Sequence, residues 1–252
     1  MDPHESPFFL TPAWPAPARV RALSTRRSGG CSRSPYDSLN LAAHVGDDPL
    51  AVAANRRRLC QLAGLPAPPP WLQQVHGTAV VDVAQVVEDC IADGSFACSA
   101  GVVCAVLTAD CLPVLLCERR GRSVAALHCG WRGLAAGIIE QALTVLAPMG
   151  GEFLAWLGPA IGPAAFVVGE EVRQAFVDHD PAAAANFAAG GAGRWHADLY
   201  ALARQRLAAC GVQQVYGGGR CTWREETEFF SYRRDGVTGR MATLIWIEEE
   251  CP

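Results

Sequence analysis

The sequence predicts a mixed-sheet α/β fold of the α+β kind, built as a single domain. Apolar runs of strand length are many and helical stretches few. They do not alternate strictly, which argues against a doubly wound sheet. Half of the 252 residues are hydrophobic, enough for one sizeable core. No internal repeat or convincing boundary divides the chain.

Residues 1–19 carry Pro3, Pro7, Pro12, Pro15 and Pro17 and predict an extended lead-in, with the domain proper spanning 20–252. Val20 to Thr25 reads as a first strand. Arg26 to Asn40, rich in Gly, Ser and Arg, reads as a loop that offers Arg26, Arg27 and Asn40 as substrate contacts. Pro49 to Gly64 predicts a helix, with Pro in its first turn and Gly at its end. After the rigid Pro66–Pro70 connector, Trp71–Val75 and Thr78–Val87 read as strands around a His76-Gly77 corner. Glu88–Ala100 is loop-like, with Asp93-Gly94 as a turn, and Val102–Leu107 is a buried strand. Leu134–Ala147 reads as a helix, Phe153–Leu157 as a strand and Gly158–Pro163 as a corner where backbone can approach a ligand. Glu170–Asp178 reads as a short helix and Asp180–Gly193 as an Ala/Gly-rich excursion. Asp198–Cys210 is a helix with Asp198 at its N-cap. Val212–Tyr216 is a strand, 217–239 a long polar loop, and Met241–Ile247 a closing strand.

Composition excludes several functions. The net charge of -4 and pI near 5.9 give no electrostatic reason for nucleic acid or an anionic membrane. All 21 basic residues are arginine, which removes lysine Schiff-base and P-loop chemistry. Any phosphate recognition must rest on arginine, backbone N–H groups or helix ends. Met1–Pro7 lacks the apolar core of a signal peptide, no run reaches transmembrane length, and the 11 cysteines are odd in number and irregular in spacing. A cytoplasmic protein with reduced thiols is expected.

The chain is organised around Thr108–Gly133. Two apolar runs flank a turn carrying Arg119, Arg120, Gly121 and Arg122, a strand–turn–strand signal. Cys111 opens the first run and His128 closes the second. Antiparallel pairing sets them at the same ladder end. Gly130 and Gly133 would let the following backbone approach a site there. With His76 from the upstream corner, two imidazoles and a thiolate form a familiar zinc set with an open fourth position. Taken singly, His76 reads as a loop histidine and Cys111 as a buried strand residue.

Gln74-Val75-His76-Gly77, Thr108-Ala109-Asp110-Cys111-Leu112-Pro113-Val114-Leu115-Leu116 and His128-Cys129-Gly130-Trp131-Arg132-Gly133 resemble the three signature motifs of the YfiH-type family. Its members are described as polyphenol oxidases, or as purine nucleoside phosphorylases with adenosine deaminase activity. The likeness extends to Ser38-Leu39-Asn40-Leu41, His44-Val45-Gly46-Asp47-Asp48, the 157–163 corner, Cys221-Thr222 and Ser231–Asp235 through Met241, covering roughly residues 20–248. Where the family usually carries Ala-Asp-Ala, this chain has Ala92-Asp93-Gly94, a departure that lowers the site role expected of that loop.

The resemblance implies a YfiH-like sandwich of two sheets flanked by helices. It also implies a zinc-dependent purine nucleoside enzyme. Expected reactions are phosphorolysis of adenosine, inosine and S-methyl-5'-thioadenosine to base and (methylthio)ribose 1-phosphate, and deamination of adenosine. The expected ligands are His76, Cys111 and His128. Cys111, His128 and Asp110 would be catalytic, and Arg26, Asn40, Arg132 and Arg240 are candidate contacts for nucleoside and inorganic phosphate. His44 is a further candidate in the site. His4, His179 and His196 read as surface residues and Cys129 as packing. The expected assembly is a monomer or small homo-oligomer. Three alternatives stay open, one of them a non-enzymatic, metal-stabilised scaffold in a partner complex. Copper-dependent, laccase-like phenol oxidation needs more histidines than the six here. A thiol hydrolase using Cys111 and His128 leaves His76 without a role.

Overall fold

The apolar runs pair into two facing sheets in the computed structural model, which describes residues 6–86 and 90–249. In chain order the elements are β1 (Phe9–Leu10), β2 (Val20–Thr25), α1 (Pro49–Ala63), β3 (Val80–Asp82), β4 (Gly94–Ala97), β5 (Val103–Thr108), β6 (Leu112–Glu118) and β7 (Val124–Cys129). Next come α2 (Trp131–Ala136), α3 (Ile138–Leu146), β8 (Phe153–Leu157), β9 (Val167–Val168), α4 (Glu170–Val177), β10 (Phe187–Ala189) and β11 (Trp195–Ala197). Last are α5 (Leu199–Ala209), β12 (Gln214–Gly217), α6 (Tyr232–Asp235) and β13 (Met241–Ile247).

One sheet is antiparallel, in the order β1-β2-β13-β5. The other, β12-β8-β6-β7-β4-β3, is antiparallel in its centre and parallel at its two end pairs. Strand periodicity decides what each residue packs against. On β5, Cys104 and Val106 join Ile245 and Ile247 against Leu115, Cys117, Val124 and Ala126 of the facing sheet. Val103, Ala105 and Leu107 point the other way and meet Leu59 of α1. On the far sheet, Leu112, Val114 and Leu116 pack with Leu134, Ile138 and Leu146 of α2 and α3 and with Leu202 and Leu207 of α5. The central strands β5, β6, β7 and β13 are buried along their whole length, as the near-continuous apolar runs require. Each such Val, Leu or Ile contributes about 1.5–3 kcal/mol of burial. The result is the helix-flanked, two-sheet sandwich that the resemblance implied.

Several elements differ from the sequence expectation. Phe9 and Leu10, inside the proline-rich lead-in, are buried and add an edge strand to β2. The helix expected over 134–147 starts at Trp131 and breaks at Gly137, whose φ of 97° is left-handed and ends α2. The strand expected over 78–87 shrinks to β3, because the Asp82 carboxylate accepts from Ala84 N–H and starts a 3-10 turn; Val87 lies outside the described residues. Trp71–Val75 forms only an isolated bridge, Gln73 to Ile91. The 180–193 excursion contains β10, which joins β11 and β9 in a small third sheet, and the 217–239 loop contains α6. Among the described residues ten cysteines are free thiols, and no helix is long and apolar enough to cross a membrane. His4 lies outside the described residues.

Candidate metal centre

The β6–β7 register pairs Leu112 with Cys129 and Pro113 with His128, so Cys111 and His128 share one end of the ladder, as expected. The third residue arrives from the 76–77 corner. Cys111 Sγ lies 3.8 Å from His76 Nε2, and the two imidazole rings stand edge to face with centroids 4.8 Å apart. One donor atom from each of His76, Cys111 and His128 lies within 4.8 Å of the others. Tetrahedral zinc with ordinary Zn–S and Zn–N bonds would hold sulfur and nitrogen about 3.6 Å apart, so the donors nearly match that geometry. His128 is buried, Cys111 half-buried and His76 exposed, which leaves one side of the triad open. Gly130 completes the cradle: a Cβ there would meet His76 Cδ2 at 2.9 Å and Cys111 Sγ at 3.0 Å. At Gly133 a Cβ would meet the Gly77 carbonyl at 2.7 Å. Both glycines permit the close approach their positions suggested. The residues therefore fit a single soft-to-borderline cation with an open position.

The residue that organises the triad is Asp93, to which the sequence assigned only a turn. It is fully buried. Its Oδ1 accepts from His128 Nδ1 at 2.8 Å and from His76 N–H at 2.9 Å. Its Oδ2 accepts from Gly77 N–H at 2.7 Å and Val75 N–H at 3.1 Å. One carboxylate thus fixes the His128 ring, leaving Nε2 for a metal, and clamps the corner that carries His76. That corner needs clamping: His76 has a φ of 62°, unfavourable for a side-chain-bearing residue. Burial alone would push the Asp93 carboxyl up, but hydrogen bonds from His128, Gly77 and Val75 hold it below its usual range.

Electrostatics couple the other two groups. Burial raises the Cys111 thiol, yet the charges and hydrogen bonds of His128 and His76 outweigh it and bring the thiol down to about 6. Burial lowers His128, and the Cys111 thiolate together with Asp93 overcomes this and lifts it to about 9. Between those values the metal-free site holds a thiolate beside an imidazolium. Thiolate is the species that alkylates. In metal-free protein the rate of iodoacetamide labelling at Cys111, followed by peptide mass spectrometry, is therefore expected to rise through about pH 6 and level off above it. A rise only near the ordinary thiol value of 9.0 would contradict this geometry. The neighbouring Cys129 is fully buried and its thiol is pushed well up by burial, consistent with packing.

The triad opens into a cavity of about 470 Å³ lined by His44, Gln74, His76, Leu107, Thr108, Ala109, Cys111, His128, Tyr232 and Arg240. Of the four candidate substrate contacts, only Arg240 reaches it. Arg26 instead pairs with Glu228. Asn40 is fully buried: its amide bonds Asp47 and Ala42, and its carbonyl oxygen accepts from the N–H groups of Ala42 and Arg240. Arg132 is exposed and stacks on Trp131, with its guanidinium 4.4 Å from the ring centroid. Asp110 also differs from expectation. Its Oδ1 accepts from Thr222 Oγ1 and its Oδ2 from Arg233 N–H, both at 2.6 Å. These bonds tie Asp110 to the loop that carries Thr222 and to the first turn of α6, so both of its carboxylate oxygens are engaged in holding the fold. Gln74 likewise locks both amide atoms to Leu107 backbone. His44 and Tyr232 stand at the cavity rim, His44 having been only a secondary candidate and Tyr232 having given no signal beyond its motif.

Comparison with known proteins adds a family. Residues 21–248 match the family model described as multi-copper polyphenol oxidoreductase laccase. A purine nucleoside phosphorylase of Pseudomonas aeruginosa is 54% identical over 244 residues, 96% of this chain and 99% of its own. The purine nucleoside phosphorylase YfiH of Escherichia coli K12 is 53% identical, over 95% of this chain and 98% of its own. Among solved structures, a Neisseria meningitidis protein superposes with a TM-score of 0.91 at 50% identity, covering 96% of this chain and 99% of its own. YlmD from Geobacillus stearothermophilus gives 0.91 at 31% identity, covering 97% and 98%.

Proposed function

We propose that this chain, which belongs to the multi-copper polyphenol oxidoreductase laccase family, is a zinc-dependent purine nucleoside phosphorylase that also deaminates adenosine. The observation that carries the reading is the His76–Cys111–His128 donor set opening into a cavity of nucleoside size. It is supported by relatives above 50% identity that bear the name purine nucleoside phosphorylase. The substrates are adenosine, inosine and S-methyl-5'-thioadenosine, with inorganic phosphate as co-substrate, and the catalytic unit is residues 20–252. The cytoplasm is its expected compartment, in keeping with the free thiols among the described residues.

Zinc, when bound by His76, Cys111 and His128, supplies Lewis acidity and an open coordination position. The chain supplies the rest. Asp93 fixes the His128 tautomer through Nδ1 and holds the His76 corner rigid. Leu107, Thr108 and Ala109 line the cavity beside the triad. Tyr232, exposed at the mouth, offers a face on which a purine can stack. A multi-copper mechanism is not supported, because His76, Cys111 and His128 form one cluster and no second group of this kind occurs among the described residues.

Purified protein incubated with adenosine and phosphate is expected to release adenine and ribose 1-phosphate, with inosine as a second product. Release should rise with phosphate concentration. Equal release in phosphate-free buffer, with free ribose as the product, would make the protein a hydrolase and end the phosphorylase reading.

A further inference from the structure

The cavity holds a cation that the fold does not neutralise. Arg240 lines it with the triad, and its Nη1 donates to the carbonyls of Thr238 at 2.8 Å and Gly239 at 3.1 Å. Among the described residues no carboxylate lies within ion-pair distance of it and Nε and Nη2 take no hydrogen-bond acceptor; its remaining contact is with the Tyr232 ring, whose centroid lies 5.7 Å from the guanidinium carbon. Some arginines of the fold pair with carboxylates, Arg206 with Glu140, Arg220 with Glu225 and Arg234 with Asp235; Arg204 and Arg233 bond only backbone carbonyls, as Arg240 does, but neither lines this cavity. Burial depresses Arg240, while Cys111 and Asp110 draw it back up, so the guanidinium shares the electrostatic field of the triad. Beside it, His44 stands exposed at the rim. Burial, Arg240 and then Arg56 all press its ring towards the neutral form. Arg56 is also without a carboxylate among the described residues; it bonds the Leu41 carbonyl and stacks on Trp71. The carbonyl bonds at Nη1 pin the guanidinium plane and leave the Nε–Nη2 edge, the geometry that takes two oxygens of a phosphate at once.

We infer that Arg240, with His44 beside it in the cavity lining, is the phosphate subsite of this cavity, and that its ligand is free inorganic phosphate held between the guanidinium and the triad. This rests on the phosphorylase reading for its catalytic meaning, and on the unpaired cation alone for binding. In a lysine-free chain the assignment also meets the need for an arginine or backbone anion site. Asn40 acquires an indirect role: its Oδ1 accepts from Arg240 N–H at 3.0 Å and so sets where the arginine leaves the backbone.

The test uses the as-purified protein and its Arg240→Gln, Arg240→Lys and His44→Gln variants. Inorganic phosphate and adenosine 5'-monophosphate are titrated by calorimetry, and KM is measured separately for phosphate and adenosine. Arg240→Gln is expected to weaken phosphate binding and raise the phosphate KM by roughly 10- to 100-fold, leaving the adenosine KM and metal content near wild type. Arg240→Lys should recover part of the loss, since lysine keeps the charge without the fork. His44→Gln should weaken phosphate binding by less than Arg240→Gln. If Arg240→Gln fails to fold, the lysine and His44 variants decide. Unchanged phosphate binding in a folded Arg240 variant overturns the subsite while the phosphorylase reading stands. Phosphate binding lost in Arg240→Gln from a protein that makes no ribose 1-phosphate upholds the subsite and removes the reading instead. Binding of the nucleotide but not of inorganic phosphate overturns the free-phosphate assignment.

Discussion

His76→Ala, Cys111→Ala and His128→Ala proteins are each expected to lose bound metal and activity together. The loss should exceed the roughly 10- to 100-fold typical of removing a residue that merely supports a ligand. Three protein donors are the minimum for a catalytic zinc site, so removing one leaves two plus solvent. The fold should survive at His76, which is exposed, and at Cys111, which is half-buried at a strand end. His128 is buried, so its alanine variant also loses packing and is judged against the other two. Chelator should inactivate the wild type, and zinc should restore it. Metal content by mass spectrometry, read beside turnover of adenosine, checks the coupling. A thiol hydrolase predicts a different pattern: chelator without effect, His76→Ala largely active, and substrate trapped on Cys111. Full turnover by metal-free protein would defeat the metal assignment.

What the sequence made legible follows a physical divide. Cys111 and His128 are placed by one antiparallel hairpin, and a hairpin's register follows from two apolar runs and a turn. That is why their meeting at one end is legible in the sequence, and β13 and β8 have the bounds expected of them. Asp93 could not be read this way. Asp-Gly followed by small residues carries a turn signal, yet Gly94 is a strand residue. It is glycine for packing: a Cβ there would meet Leu127 Cδ2 at 2.7 Å. The available signal was an acidic residue between Ile91-Ala92 and a strand-like Ser-Phe-Ala run, a place where a carboxylate must be buried and therefore bonded. The arginines and Asn40 failed for a related reason. Arg26, Arg132 and Asn40 lie beside motif residues in sequence, but a long or amide side chain can turn to Glu228, to Trp131 or to Asp47. Neither spacing nor residue type says which way it turns. Arg240 differs in where its local contacts leave it: bonds to the Thr238 and Gly239 carbonyls and the Tyr232 ring keep it in the cavity lining.

Asp93→Asn is expected to damage both stability and metal affinity, and it separates a site organiser from a residue that only fills space. Four donors converge on the carboxylate: Val75, His76 and Gly77 N–H, and His128 Nδ1. Asparagine has the same shape but one acceptor oxygen and an NH₂. Whichever way it sits, the NH₂ faces N–H groups. If it displaces the His128 bond, the ring loses the partner that fixes its tautomer. If it faces Gly77 and Val75, the left-handed His76 corner loses its clamp. Each buried donor left without an acceptor costs about 1–3 kcal/mol. A net loss of about 3 kcal/mol corresponds to a fall in Tm of roughly 6–12 °C for a chain of this size. Melting should be compared between metal-stripped wild type and variant, so that lost metal does not count as lost stability. Zinc affinity, measured by competition with a chelator, should fall about 10- to 100-fold even below the melting range. Acid behaviour carries the sign. A carboxyl held below its usual range stabilises the fold above its unfolded value of about 3.9 and loses that contribution as pH falls through the lower folded value. The wild type should accordingly lose part of its advantage over Asp93→Asn below about pH 4. A variant with wild-type melting and wild-type zinc affinity would show that the donors around Asp93 find other acceptors, and that the triad holds its shape without it.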